Sequence, residues 1–109
     1  MSDEAANVER IIGAISEPFQ PAVVAEANGF QMKVVRLRGE FPWHVHENED
    51  ELFYCTEGSF VIELDPGSPV KLGAGDVFVV PRGRRHRPVA QQPGVTVMFE
   101  PAETKQYGD

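Results

Sequence analysis

A single cysteine, Cys55, leaves no partner for a disulfide within the chain, so an oxidising compartment is not needed for folding. Cations are scarce as well: ten Lys and Arg stand against seventeen Asp and Glu, a net charge of −7. That balance argues against a nucleic-acid surface, which draws its affinity from clustered Lys and Arg. No apolar run approaches the roughly 18 residues that span a bilayer. The start of the chain, MSDEAANVER, is polar and acidic, unlike a signal or transit peptide. These absences predict a cytoplasmic protein that partners neither nucleic acid nor membrane. The 109 residues suit one domain, which at this size buries roughly two-thirds of its unfolded surface.

Turn formers are plentiful: ten Gly and nine Pro imply many reversals and favour strands over long helices. Near the start, Val8, Ile11, Ile12 and Ile15 recur at helical spacing, with Ser2 or Asp3 as cap and Pro18 as stop. We expect a short helix packed outside a larger body: an arm over residues 1–20, then a β-domain over 21–109. FQMKVVRLRG alternates up to Gly39, and SFVIELDPGSP reads as a strand with a turn at Asp65-Pro66-Gly67. VKLGAGDVFVVPRG gives two short strands. HRPVAQQPGVTVMFEP gives two more, broken at Pro93-Gly94. Short strands so spaced suggest an antiparallel sandwich or barrel.

The stretch HVHENEDELFYCTEG carries two of the three histidines. Read as a strand, His44 and His46 share a face, while Trp43 and Val45 point the other way, Trp43 toward an outer layer or a subunit interface. Straight alternation would put Glu51 on the wrong face. The polar run Glu47-Asn48-Glu49-Asp50 reads as a solvated turn that resets the register and returns it. From Glu51 onward, alternation sends Phe53 and Cys55 inward. The third histidine, His86, follows VVPRGRR, a strand and a Pro-x-Gly turn. Histidines in strands are commonly surface or core residues; here all three fall where a single site could use them with one carboxylate.

These residues resemble the two motifs of the cupin superfamily. The first, G-x5-H-x-H-x3,4-E-x6-G, is matched by Gly39, His44, His46, Glu51 and Gly58, with four residues in place of five after Gly39. The second, G-x5-P-x-G-x2-H-x3-N, is matched by Gly75, Pro81, Gly83 and His86, with Ala90 in place of Asn. The likeness extends over nearly the whole chain to small single-domain cupins labelled mannose-6-phosphate isomerase-like. It implies an all-β antiparallel jelly-roll barrel with a short N-terminal helix. It also implies that His44, His46, Glu51 and His86 bind one divalent metal, and that the protein is a homodimer.

Three imidazoles and a carboxylate suit Fe, Mn, Ni, Co, Cu or Zn better than Mg or Ca, which take oxygen ligands. Four protein ligands on a six-coordinate ion leave two positions open, as a catalytic site requires. The expected function is that of a metal-dependent enzyme on a small organic substrate, dioxygenase-type because some cupins with this ligand set are dioxygenases. A metal-assisted isomerase, cyclase or lyase is the first alternative, and a non-catalytic ligand- or metal-binding module the second. No catalytic acid or base stands out: of Tyr54, Lys33, Arg36 and Glu63, parity turns Tyr54 and Glu63 outward. Phe53, Cys55 and Met98, with several of Val34, Ile62 and Phe78, are expected to line the substrate pocket. Cys55 enters as a small hydrophobe, since a reactive thiol needs an electropositive, accessible setting. Arg82, Arg84, Arg85 and Arg87 surround His86. Charge runs are usually solvated, with an arginine meeting an anionic substrate as the alternative.

Overall fold

Seven strands and one short helix make up the regular structure of residues 3–109, the part described by this computed structural model. Helix α1 (Val8–Gly13) is capped by Asn7, whose side-chain oxygen accepts from the Arg10 N–H at 2.8 Å. The cap is therefore Asn7 and not Asp3, and Ser2 lies outside the described residues. The helix also ends at Gly13, well before Pro18. Its freed carbonyls have a partner there, because the Arg36 guanidinium donates to the carbonyls of Ile12 (3.0 Å) and Ile15 (2.5 Å). The apolar stripe packs with Val34, Val95 and Val97 on the outside of the sheet.

The strands are β1 (Ala22–Ala27), β2 (Phe30–Glu40), β3 (Glu51–Glu57), β4 (Ser59–Asp65), β5 (Val70–Gly73), β6 (Val77–Val80) and β7 (Arg85–Pro101). All pairings are antiparallel, in the order β1-β2-β7-β3-β6, with β4 joining β5 to the first part of β7. This is the jelly-roll arrangement. Among the described residues its hydrogen bonding does not close into a ring. The main core lies inside it, built from Val35, Leu37, Phe53, Phe60, Ile62 and Leu72 among others. No helix among the described residues is long and apolar enough to cross a membrane.

Three expectations need correction. β1 was not foreseen: AVVAEA is short and mostly exposed, so it carries little alternating signal. The two strands expected either side of Pro93-Gly94 are one 17-residue strand, β7. It survives the proline because pairing with β2 slips there: Leu37 faces Gly94 while Gly39 faces Ala90. Pro93 falls within that bulge, so its missing N–H breaks no rung of the ladder. Finally, His44 and His46 lie on an irregular segment, tied down by a lone two-way bridge between His44 and His86 at 3.0 Å.

Candidate metal centre

Backbone contacts rather than a regular strand aim the first two histidines. The bridge to His86 fixes His44, and the His46 carbonyl accepts from the Gly83 N–H at 2.8 Å. The acidic turn is pinned at both ends: the Glu47 N–H donates to Asp109 and Asp50 accepts from the Arg82 N–H, each at 2.8 Å. So held, the turn delivers Glu51 to the first position of β3 with its side chain buried. One donor atom from each of His44, His46, Glu51 and His86 lies within 4.8 Å of the other three, and all four residues are buried. Donors on opposite sides of one ion would stand ~4.2 Å apart at Zn–N bond lengths of about 2.1 Å. The cluster has the size of a single-ion site.

Hydrogen bonding also fits a cation. The Nδ1 atoms of His44 and His86 face the carbonyls of Pro42 (2.8 Å) and Arg84 (2.9 Å). A neutral imidazole that donates from Nδ1 turns the lone pair of Nε2 inward. For His86 that lone pair meets Glu51 Oε1 at 3.0 Å, an acceptor against an acceptor, which an ion between them would relieve. Neither ring nitrogen of His46 makes a hydrogen bond, although both are buried; Nε2 stands 3.2 Å from Glu51 Oε2. Buried polar atoms are rarely left so.

The charges are strongly coupled. Burial, aided by His86, lowers the pKa of His44 to about 4, so it is neutral at pH 7. Burial works against the charged forms of His46 and Glu51 as well. The contact between them wins, raising His46 and holding Glu51 below the carboxylate range. Glu100, buried at 3% exposure, is pushed up to about 7 by burial and by the negative charge of Glu51. The register that pairs Leu52 with Phe99 sets Glu100 across from Glu51, and Oε2 of Glu100 is buried without a hydrogen-bond partner.

A cavity abuts the cluster on the His44–Glu51 side. Its walls are largely apolar, with Phe19, Phe41, Phe53 and Met98 prominent, and its remaining charged lining is Lys33 and Glu100. Phe19 comes from the arm and packs on Phe41 at 5.1 Å between ring centroids. The structure thus brings Phe53 and Met98 to the cavity, but not Cys55. Two residues past Phe53 along β3, Cys55 has moved beyond the cavity into the core. There its thiol donates to the carbonyls of Glu57 and Gly58 at 3.6 and 3.5 Å, and burial raises its pKa. Val34, Ile62 and Phe78 also depart from expectation: Val34 faces α1, Ile62 and Phe78 pack in the core, and Val35 lines the cavity.

The arginines do not reach the cavity. Arg84 bonds the Pro66 carbonyl and Arg85 pairs with Asp65 at 2.6 Å. Arg87 pairs with Glu63 at 2.6 Å and Glu40 at 2.8 Å. Arg85 and Arg87 flank Trp43, their guanidinium carbons 4.8 and 4.9 Å from its ring centroid. The cation at the cavity is Lys33. Glu100 escaped the sequence reading, yet inward-facing Met98 two residues earlier was a usable signal.

A model of the cupin domain (Cupin_2) matches residues 33–100. The chain belongs to the cupin family. It is 30% identical over 81 residues to uncharacterized protein YdbB of Bacillus subtilis (strain 168), spanning 74% of this chain and 72% of YdbB. A cupin-2 domain containing protein from Shewanella frigidimarina superposes with a TM-score of 0.84 at 34% identity, over 87% of this chain and 92% of that one. A hydroquinone 1,2-dioxygenase, PnpCD, crystallised with Cd2+ and 4-hydroxybenzonitrile, superposes at 0.77 with 23% identity. That match covers 93% of this cupin and 77% of the dioxygenase chain, and the likeness is one of fold alone.

Proposed function

We propose that this cupin binds one divalent transition metal through His44, His46, Glu51 and His86 and acts as a dioxygenase-type enzyme on a small organic substrate held in the adjoining cavity. The observation that carries the reading is the convergence of four buried donors at the edge of an apolar cavity. Three imidazoles with one carboxylate match Fe, Mn, Ni, Co, Cu or Zn. When bound, such a metal supplies positions for substrate or O2, and redox capacity if it is iron.

The chain's own contribution is positioning and exclusion of water. The Pro42 and Arg84 carbonyls orient two of the imidazoles. Glu51 supplies the anionic donor. Phe19, Phe41 and Phe53 present an apolar surface that takes the substrate body out of water. The exposed Tyr54, Val77, Val79 and Phe99 lie on neighbouring strands of one sheet face, and they support a homodimer formed through that face. The acidic composition is consistent with a cytoplasmic setting.

The test is metal analysis of protein purified from its own host, followed by oxygen uptake with candidate substrates. Iron at one per chain with substrate-dependent oxygen consumption is expected. Native zinc, which is redox-inert, would overturn the dioxygenase reading.

A further inference from the structure

Lys33 and Glu100 form a buried ion pair at the cavity, 3.1 Å apart, with side chains 13% and 4% exposed. Neither belongs to the four-donor cluster. A buried pair of this kind costs several kcal/mol of desolvation per ion, and similar apolar residues often serve stability as well. Its place beside the candidate metal points to a binding role. Three features define that role. An ammonium has three N–H donors, and Glu100 is the one protein partner of Lys33 among the described residues. An ionised Glu100 is acceptor-only, so the donor at this wall for a ligand anion is Lys33: Oε1 of Glu100 faces the ammonium, and its buried Oε2 makes no hydrogen bond. The rest of the wall near Lys33 is apolar, including Val35, Met98 and Phe53, and β-pairing aligns Lys33 with Met98 and Met98 with Phe53 in one row.

We infer that Lys33, held in place by Glu100, is a specificity-determining residue that binds the carboxylate of a small, otherwise apolar substrate. The inference rests on the metal reading above. Lys33 is the cation lining the cavity, which suits an anionic ligand. The apolar walls suit a hydrocarbon or aromatic body. The free N–H donors of Lys33 fix which end of the ligand lies at that wall, since a charge-assisted pair in a dry pocket outweighs a neutral contact.

The experiment uses full-length protein loaded with Zn(II), titrated by calorimetry with benzoate and with its neutral isostere benzamide. Zinc content is measured in every sample. Wild type is expected to prefer benzoate by on the order of tenfold or more, the worth of one hydrogen bond to a charged group. The double variant Lys33→Met, Glu100→Gln removes both partners of the pair, so no lone buried carboxylate remains. It should keep one zinc per chain and lose the preference for benzoate. Two results would overturn the inference while leaving the metal reading intact: zinc-loaded wild type with no preference for benzoate, or a double variant that keeps it. Wild type that holds no zinc would overturn both.

Discussion

Replacing Glu100 by Gln should change how stability depends on pH. Glu100 has an ordinary value of 4.5 and is raised to about 7 in the fold, so between these values the native state holds a proton that the unfolded chain releases. Stability must therefore fall as pH rises through that range. At about 1.36 kcal/mol per pH unit the ceiling is ~3 kcal/mol. His44 works in the opposite direction: lowered from 6.5 to about 4, it adds stability as pH rises through that interval, again ~3 kcal/mol at most. The two slopes nearly cancel below 6.5 in the wild type, and Glu100→Gln exposes the His44 rise. His46 is raised and loses its contribution as pH rises; the charge of Glu100 adds to that raising, so its removal shrinks the loss and acts in the same direction. Glu51 is lowered, so its contribution is lost only at more acid pH. The assay is urea unfolding of chelator-treated protein at steps from about pH 5 to about pH 8. Relative to wild type, the variant should gain ~2–3 kcal/mol across that range. Parallel profiles would refute the burial of Glu100 against Glu51.

Gly58 joins β3 to β4 at φ +69°, and a Cβ there would press on the Pro93 carbonyl oxygen. Gly58→Ala should cost ~2 kcal/mol or more, from the left-handed backbone and the clash together, and equal unfolding midpoints for variant and wild type would contradict this. Asn7→Ala removes the side-chain cap of α1 and should cost about 1 kcal/mol. The change in denaturation midpoint reads it, and a loss beyond 3 kcal/mol would imply that the arm supports more than its own helix.

The features most legible in the sequence were those fixed by short spacing and turn chemistry. His44, His46 and Glu51 were grouped correctly in space even though the segment is not a strand, because the acidic turn and the His44–His86 bridge reproduce what pleating would have done. Phe53 followed from Glu51 by parity. Parity failed on β2, where Val34 and Val35 are both buried: α1 covers the outer face while the core covers the inner one, so alternation carries no sign there. The same ambiguity left Lys33, named as a candidate helper, without a place at the cavity wall, where it is an inward-facing charge on a strand apolar on both sides. Glu100 was hidden by its charge, since carboxylates are rarely buried unless paired, and its partners come from β2 and β3, distant in sequence. The continuity of β7 through Pro93 depends on a bulge set by the partner strand and has no local signature.

Metal stoichiometry of a His44→Ala, His46→Ala double variant tests the central claim most directly. The core is built mainly from Val35, Leu37, Phe53, Phe60, Ile62 and Leu72 and does not depend on these two side chains. Metal analysis beside far-ultraviolet circular dichroism should therefore find wild type holding one transition metal per chain, and the variant soluble, β-rich and nearly free of metal. A folded variant with full metal occupancy would contradict the four-residue site.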